Sequence, residues 1–555
     1  MSPRRDPPRV TLKFRLAPWP RAALWGRAVL AAALMLQASV TQAGGVLRTG
    51  HPGEPDSLDP HTSVSAPALI VQNDLFESLL TLDARGRPVP GAALRYTVSA
   101  DGRVYTFTLR EGLTYSDGRA ISAADFVWSI RRLADPATAS TGLAAWIDLL
   151  ENGRAILRGE SSPNSLGVEA PDERTVRIRL TRAAPWFPAI VAFPVFAPLP
   201  RHVIERYGRA WTRPENMVVN GPFMIQSWTP GQAVRVVKNS RFHAAASVRL
   251  DGVEYVSVSD QNTGVRLFLD GRLDTVTNFP PEKLDDLRRS RPRELRLAPS
   301  LGVTAYVFNH RLTKFRDPRV REALSIAIDR QMLTTKIVRA GDQPALGIVA
   351  PSISALPASG TTNGGANGGL RRTAQLERAR TLLRAAGYTT ARPLEVELLY
   401  HTSEEHKKVA VAVAAMWQAA GVRVALRNAE RQVVEAASRQ GDFEIVRAAW
   451  FSPYPDASGF FAYLRQGSPS NAGAYENPQF EDTLERSARI VDPAERRRLQ
   501  RAAEEILQRD HAAIPLYHIV SRRLVSQRVI GWQDESLSAI RPARWLDLRT
   551  SVEGK

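Results

Sequence analysis

Alternating apolar and polar positions predict several β-strands after residue 44. Residues 103–110, RVYTFTLR, place apolar side chains at every second position between basic ends, as in a half-buried strand. Residues 175–180, TVRIRL, alternate in the same way. Residues 233–239 and 252–258 are also strand-like and are expected to pair with each other through a turn.

Other segments have the spacing of amphipathic helices. They are residues 123–132, 317–333, 373–387 and 404–421. Ser122 and Asp125 stand where the two residues of a capping box would start the first helix. Gly387 and Gly421 follow the last two segments, where a glycine commonly ends a helix. Residues 317–333 are expected to form one continuous helix with a single apolar face.

Strand and helix patterns follow one another closely around residues 394–428. Residues 394–400, LEVELLY, form a predicted strand, the helix over 404–421 follows, and residues 422–428, VRVALRN, form the next strand. A strand–helix–strand succession of this length is typical of a parallel pair with a crossover helix. The chain is therefore assigned to the α/β class.

Residues 1–43 have the pattern of a cleaved secretory signal. A basic stretch precedes an apolar run of 13 residues, AVLAAALMLQASV, and TQA supplies small residues before a cut after Ala43. The apolar run is shorter than the ~20 residues of a membrane-spanning helix. Because no cysteine follows the cut, a lipid anchor on cysteine is impossible. We expect a soluble protein exported to a bacterial periplasm.

Composition narrows the function classes. The 555 residues are 44% hydrophobic and 23% charged, which suits about three globular domains. The net charge is +18, of which residues 1–43 carry +6, and the remaining basic residues are interspersed with acids, which predicts a solvated basic surface rather than a nucleic-acid site. There are no cysteines, which excludes disulfides, thiol catalysis and cysteine metal sites.

The histidines are scattered and predict neither a metal nor a cofactor. His401 and His406 are five residues apart at a strand-to-helix junction, which is not the i, i+4 spacing of two ligands on one helical face. His51 and His61 are kept as a minor alternative for a soft cation.

No catalytic constellation can be assembled from the sequence. It contains no Gly-x-Ser-x-Gly elbow, no phosphate-binding Walker loop and no His-Glu-x-x-His. The glycines of residues 359–369 predict a flexible surface loop, and adjacent acids such as Glu404 and Glu405 point to different sides of a helix. The motifs therefore give no support to an enzyme, and a periplasmic hydrolase is kept as the remote alternative.

Several motifs occur together in one order. They are GEPDSLDPH (53–61), DLFESLLTLDARGRPVPGAA (74–93), VYTFTLREGLTYSDGRAISAADFVWSIRR (104–132), NGPFMIQSW (220–228), FRDPRVREALSIAIDR (315–330), AYENPQFEDTLERS (474–487) and IPLYH (514–518). The ordered set resembles the periplasmic oligopeptide- and dipeptide-binding proteins, the family 5 extracellular solute-binding proteins of ABC importers. The resemblance covers nearly all of residues 44–550.

The resemblance implies a two-lobed periplasmic-binding-protein fold of type II, similar to cluster C, with an extra inserted domain and a ligand cleft between the lobes. Domain I is implied to be discontinuous, with segments at 44–87, 217–305 and 521–555. Domain II is implied to span 88–216, and domain III 306–520. The resemblance also implies a monomer without enzymatic activity that passes a peptide or peptide-like solute to membrane permease subunits. An ATPase subunit that hydrolyses ATP is implied as an indirect partner.

The family's cleft segment matches residues 447–461, RAAWFSPYPDASGFF. By this resemblance Trp450 and Phe451 line side-chain pockets, and Arg447 meets a ligand carboxylate or forms a salt bridge inside domain III. Tyr517 matches a ligand-facing tyrosine. Val64 and Ala66 match a strand that pairs with the peptide backbone. Phe460 and Phe461, in contrast, are predicted to be core.

One departure from the family pattern concerns the ligand's α-amine. In the peptide binders an aspartate holds that amine, and here the position is Pro453, which has no carboxylate. Asp456 is either a substitute clamp or a residue that orients its own loop. The departure also keeps open a non-peptide solute on the same fold, for which an opine, a sugar, glutathione, haem and a metal chelate are the alternatives.

Overall fold

The computed structural model describes residues 44–549 except residues 64, 141–143, 355–367, 491 and 539. The predicted signal segment 1–43 and most of the glycine-rich loop 359–369 lie outside the described residues. Within them, no helix is long and apolar enough to cross a membrane.

The strands are numbered in chain order. They are β1 (Val46–His51), β2 (Leu80–Leu82), β3 (Pro88–Pro90), β4 (Ala93–Val98), β5 (Val104–Leu109), β6 (Val168–Asp172), β7 (Thr175–Arg179), β8 (Phe223–Thr229), β9 (Ala233–Lys238), β10 (Gly252–Ser257), β11 (Thr275–Thr277), β12 (Leu295–Phe308), β13 (Gln343–Pro344), β14 (Glu395–His401), β15 (Arg423–Ala429), β16 (Ile445–Phe451), β17 (Ala513–Val525), β18 (Val529–Ile530) and β19 (Asp547–Leu548).

The α-helices are numbered likewise. They are α1 (Ala66–Leu75), α2 (Ala123–Ala134), α3 (Ala144–Ile147), α4 (Gly153–Leu157), α5 (Phe187–Ile190), α6 (Arg201–Tyr207), α7 (Gln261–Leu269), α8 (Leu284–Ser290), α9 (Thr313–Arg316), α10 (Pro318–Ile326), α11 (Arg330–Met332), α12 (Gly368–Ala385), α13 (Glu404–Ala419), α14 (Arg431–Gln440), α15 (Ser458–Phe461), α16 (Pro478–Arg489) and α17 (Pro493–Arg509).

One sheet runs through most of the fold. Its strand order is β15-β14-β16-β12-β17-β11-β1-β10-β9-β8, with β13 added on β17. The strands from β11 to β8 form the sheet of what we call the first lobe, and β15, β14 and β16 with the second half of β12 form the sheet of the second lobe. The long strands β12 and β17 belong to both, so they connect the lobes through hydrogen-bonded backbone.

The predicted strand–helix–strand unit is confirmed. β14 and β15 are parallel along their whole length, from Glu395 opposite Arg423 to His401 opposite Ala429, and α13 crosses between them. The helix ends before Gly421, whose φ of 91° is left-handed backbone that favours glycine. The predicted pairing of β9 with β10 is also confirmed, although residues 239–251 connect them in place of a tight turn.

The helix predicted over residues 317–333 is wrong in its length. α10 ends at Ile326, the short α11 begins at Arg330, and a π-helical turn follows over Leu333–Val338. The Arg330 side chain donates to the Ser325 carbonyl over 2.9 Å. Asp329 then caps the next turn by accepting from the Met332 amide. The Arg330 side chain and the Asp329 cap thus end the helix at a point where the apolar periodicity alone predicts that it continues.

A separate four-stranded sheet, β4-β5-β7-β6, packs against α2, and we call this unit the inserted domain. The capping box at its helix is confirmed, since the Ser122 amide donates to Asp125 over 2.8 Å. Tyr105 is buried in the core of this unit. Trp128, on the same helix, packs against the core of the first lobe.

The core of the first lobe contains a protonatable carboxyl. Asp74 is 2% exposed, accepts a hydrogen bond from the Ala543 amide over 2.8 Å and is bonded to the Tyr255 hydroxyl. Burial raises the pKa of Asp74 from its ordinary value of 3.8 to about 7, despite those bonds. The folded protein therefore binds a proton at pH 5 that the unfolded chain has released.

We predict that the Asp74→Asn variant loses part of the pH dependence of unfolding. A folded-state pKa above the unfolded value means that stability is lost as the pH rises towards 7. Between pH 5 and pH 7 the wild type should lose about 2 kcal/mol more than the variant. Urea unfolding of both proteins at the two pH values measures this difference. Equal changes in both would show that Asp74 does not hold the proton.

Candidate functional site

The strands that join the lobes change register at two neighbouring places. β12 pairs with β17 from Leu295 to Pro299 and again from Val303, and the register shifts both between Pro299 and Val303 and between Thr304 and Ala305. Gly302 lies in the gap, and a Cβ there would come within 2.6 Å of the Phe451 ring, so a larger residue would displace that ring. An interrupted ladder of this kind bends the strands locally, and we call this place beside β16 the hinge.

The strand β16 has a partly free edge next to this hinge. It pairs with β12 along its whole length, from Gly302–Phe451 to Phe308–Ile445. It pairs with β14 only at Ile445 and Val446. Along residues 447–450, the edge facing β14 therefore has no strand partner in the part of the chain that the structure describes. Unpaired strand backbone is a template for an extended peptide.

Arg447 is the cation at this free edge. It is half-buried, and it forms no ion pair or side-chain hydrogen bond with any residue that the structure describes. Of the two predicted alternatives, the salt bridge inside domain III is thus not formed. An unpaired, half-buried guanidinium offers its donors to a carboxylate from outside the chain.

Two histidines accompany Arg447. The rings of His401 and His406 lie 4.0 Å apart in an edge-on arrangement, and His406 Nδ1 donates to the His401 carbonyl over 3.3 Å. Burial, followed by the charges of Arg447 and His401, lowers the pKa of His406 to about 3. Burial and Arg447 also lower the pKa of His401. Both rings are therefore neutral at neutral pH, and Arg447 supplies the positive charge of the Arg447 site, as we call these three residues.

Tyr517 lies behind this site. Its ring is 2% exposed and its hydroxyl is hydrogen-bonded to the Thr304 side chain. Arg447, Glu405 and Asp342 are the charged groups whose fields reach it. The structure places Tyr517 in the core of the second lobe, so the ring is not exposed to a ligand here, and its predicted contact stays a prediction.

The two adjacent aromatic residues on β16 face opposite sides. Trp450 is 4% exposed and stacks on Tyr463 at 5.2 Å inside the second lobe, so its expected exposure at a pocket is not found. Phe451 is 51% exposed and lies over Gly302 at the hinge. Its ring is accessible to a ligand, while its backbone groups are bonded to the Tyr463 hydroxyl. Phe460 and Phe461 are buried core, as predicted.

The carboxylate of Asp456 is hydrogen-bonded to residues of its own lobe. Arg496 donates to both of its carboxylate oxygens over 2.5 and 2.9 Å, Gln500 donates over 3.0 Å, and the Ser458 amide donates over 2.9 Å. Burial alone would raise the pKa of Asp456, but Arg496 holds it below the ordinary value. Of its two predicted roles, the structure supports loop orientation, while Pro453 nearby is exposed.

The inserted domain touches the second lobe at the same loop. Trp186 stacks on Tyr454 with ring centroids 6.4 Å apart and an 11° angle. The Arg496 guanidinium lies 5.0 Å from the centre of the Trp186 ring. One arginine thus fixes both the Asp456 loop and the aromatic contact between the two units.

On the opposite side, the predicted backbone strand at residues 64–66 is wrong for Ala66. This residue is exposed and is the first residue of α1. Ser65 caps that helix by accepting from the Ala68 amide, and Pro67 suits the first turn, so the local sequence favours a helix start. Val64 lies outside the described residues.

The histidines kept for a cation are not brought together as a site. His61 is bonded to Arg132 and to the Val195 carbonyl, and His51 packs on Tyr255. Within the described ranges, no group of three or more histidine or acidic side chains is arranged to hold a metal ion.

The sequence suggests His401 and His406 only as possible metal ligands, which their spacing excludes, and it does not connect them with Arg447. Their association was not visible, because it depends on β16 lying beside β14 in the sheet. One signal was available for the aromatics, since adjacent residues of a strand point to opposite faces. Trp450 and Phe451 were therefore not both able to line one pocket.

The chain matches known proteins over most of its length. The family model for bacterial extracellular solute-binding proteins, family 5, matches residues 87–472. The periplasmic oligopeptide-binding protein OppA of Salmonella typhimurium is 34% identical over 483 residues, which are 86% of this chain and 88% of that protein. The probable deoxycholate-binding periplasmic protein YgiS of Escherichia coli is 34% identical over 490 residues, 88% of this chain and 90% of that protein.

A solved structure agrees with the fold. The Escherichia coli murein tripeptide binding protein MppA superposes with a TM-score of 0.77 at 32% identity, covering 91% of this chain and 98% of that chain. This confirms the predicted α/β, two-lobed, type II fold, and the relatives' location confirms the predicted periplasmic one. The chain belongs to family 5 of the bacterial extracellular solute-binding proteins.

Proposed function

We propose that this protein captures a peptide or peptide-like solute that carries a carboxylate and delivers it to the permease of an ABC importer. Arg447 would bind the carboxylate, and the free edge of β16 at residues 447–450 would pair with the ligand's backbone. Phe451 would cover a side chain at the hinge. Support comes from the peptide-binding relatives together with the geometry of the Arg447 site.

The observation that carries the proposal is the unpaired state of Arg447. Most arginines near it in the fold pair with a carboxylate, as Arg423 does with Glu395 and Arg427 with Glu397, yet this half-buried guanidinium forms no ion pair with a residue that the structure describes. The rings of His401 and His406, whose pKa values are lowered, add no positive charge of their own beside Arg447. Keeping a half-buried charge without a partner costs free energy. A ligand carboxylate that binds Arg447 would remove this cost, and no salt bridge within the protein would have to break first.

The amine end of the ligand is proposed to be bound without a charge pair. Pro453 stands at the position that holds the α-amine in the peptide binders, and Asp456 is fully bonded to Arg496 and Gln500. A free α-amine is therefore not a requirement, and N-acylated or otherwise modified peptides fit.

A second candidate is an apolar carboxylate that is not a peptide. YgiS is named for deoxycholate, a carboxylate without an amine, and matches this chain at the same identity as the OppA of Salmonella typhimurium. Arg447 and the exposed Phe451 ring would serve such a ligand equally well. Binding of deoxycholate with no binding of peptides would favour this candidate.

Calorimetric titration separates the two. Tri- to pentapeptides of one sequence set are compared in three forms: unmodified, amidated at the C-terminus and acetylated at the N-terminus. We expect amidation to weaken binding at least about tenfold, because a charge-assisted bond to Arg447 is lost, and acetylation to change it less than about threefold. Strong dependence on the free amine, with none on the carboxylate, would contradict the proposal.

The remaining features are proposed on the family's pattern. The protein would bind without catalysing a reaction and act as a monomer, and a separate subunit would hydrolyse ATP. The domain boundaries predicted from the sequence, and the cleaved signal peptide, remain predictions.

A further inference from the structure

A positively charged cavity lies between the inserted domain and the second lobe. Its volume is about 460 Å³, and it shares no lining residue with the Arg447 site. The residues that line it are Asp148, Arg154, Thr181 and Arg182 from the inserted domain, and Arg465, Leu484, Glu485, Ala488 and Arg489 from the second lobe. We call it the arginine chamber.

The charges of the arginine chamber do not balance. Four arginines and two carboxylates line it. Arg154 is neutralised by a two-point bond to Asp148 over 2.5 and 2.8 Å. Arg489 lies 3.9 Å from Glu485, which is a loose contact. The lining residues therefore keep an excess of two positive charges, supplied by Arg182 and Arg465.

Arg182 is the least satisfied of these side chains. It forms no ion pair or side-chain hydrogen bond with any residue in the described part of the chain, and its Nε atom is buried without a partner. Burial, followed by the positive charge of Arg465, lowers the pKa of Arg182. The partner of Arg465 is Glu481, 3.5 Å away, which does not line the chamber. Two guanidinium groups from different units thus line one space, and the lining carboxylate that acts on Arg182, Asp148, is already bonded to Arg154.

We propose that the arginine chamber binds a small multivalent oxyanion that bridges Arg182 and Arg465. The guanidinium group presents several N–H donors in a planar fork, which matches the oxygens of phosphate and carboxylate groups. One anion between the two arginines would give Arg182 the acceptors it lacks and remove the repulsion between like charges. The volume admits pyrophosphate or citrate together with water.

The position gives such an anion a mechanical consequence. Arg182 lies four residues before Trp186. The Trp186 ring packs on Tyr454 and Arg496 of the second lobe. An anion in the chamber would add a second bridge between the same two units. It would therefore stabilise their contact independently of any solute at the Arg447 site.

Calorimetry and thermal unfolding with pyrophosphate, citrate and sodium chloride at matched ionic strength test the proposal. We expect saturable binding of pyrophosphate or citrate to the wild type, with a rise in the unfolding midpoint that chloride does not give. Arg182→Gln and Arg465→Gln should each weaken this binding at least about tenfold, since each removes charge-assisted bonds. The matched control is Arg158→Gln, an exposed arginine of the inserted domain outside the chamber, which should stay within about twofold of the wild type.

The outcomes are separable. Tighter binding of pyrophosphate assigns the phosphate class, and tighter binding of citrate assigns the polycarboxylate class. No saturable binding by the wild type, or equal binding by the wild type and both chamber variants, would overturn the proposal. Should Arg182→Gln fail to unfold cooperatively in chloride, Arg465→Gln decides alone. Because the probes contain no peptide, a failure of this proposal does not affect the Arg447 proposal. A failure of the Arg447 proposal likewise does not affect this one.

Discussion

Replacing Glu77 with glutamine is expected to destabilise the folded protein by about 3–5 kcal/mol. Glu77 is 2% exposed and lies between two basic side chains. Arg544 Nη1 donates to its Oε1 and His243 Nε2 donates to its Oε2, each over 2.6 Å. Although burial acts to raise it, the pKa of Glu77 is lowered by these partners. Glutamine would leave the buried guanidinium of Arg544 without a counter-charge.

The loss should be large because Arg544 cannot turn to water. It is buried and packed between the rings of Phe242 and Trp545, at 4.8 and 4.7 Å. Urea unfolding of the wild type and Glu77→Gln measures the effect. Glu254→Gln is the matched control, because the Arg235 side chain that pairs with Glu254 is exposed and such pairs contribute about 0–1 kcal/mol. An equal loss in the free energy of unfolding in the two variants would show that the buried pair contributes no more to stability than the exposed one.

Replacing Arg447 with glutamine is expected to weaken binding of the solute at least about 100-fold. Removing one partner of a desolvated charge pair typically costs about 2–5 kcal/mol, and 100-fold corresponds to about 2.7 kcal/mol. The fold should be little affected, since Arg447 bonds to no side chain of the described residues. Arg423→Gln, an exposed arginine on β15 of the same lobe, is the control and should bind as the wild type does.

The chemistry of this effect can be isolated with the amidated peptides. The wild type should prefer the free carboxylate to the amide at least about tenfold, and Arg447→Gln should lose most of that preference. A variant that binds weakly but keeps the full preference would show that Arg447 acts on the site's structure and not on the carboxylate.

The sequence patterns predicted those secondary-structure elements that are determined by residues close to one another in the chain. The strand over Val104–Leu109 and the capping box at Ser122 follow from alternation and cap chemistry within a few residues. The unit β14–α13–β15 follows from three consecutive patterns. The end of α10 was missed, because it depends on a bond between Arg330 and a carbonyl five residues earlier, which periodicity does not register.

The site depends on long-range neighbours and was only partly predictable. Arg447 was found through resemblance, but its His401 and His406 partners come from β14 and α13, more than 40 residues earlier. The observed partner of Asp456 is Arg496, 40 residues later in α17. Nothing in the local sequence around Asp456 indicates that partner, so both of its roles stayed open until the structure placed them together.

The most direct test of the account is native mass spectrometry of the mature protein, purified from its own periplasm without refolding, beside Arg447→Gln prepared in the same way. The account predicts bound masses that match short or modified peptides, or one carboxylate solute, on the wild type and their loss from the variant. A bound molecule without a carboxylate, present at equal occupancy on both proteins, would contradict it.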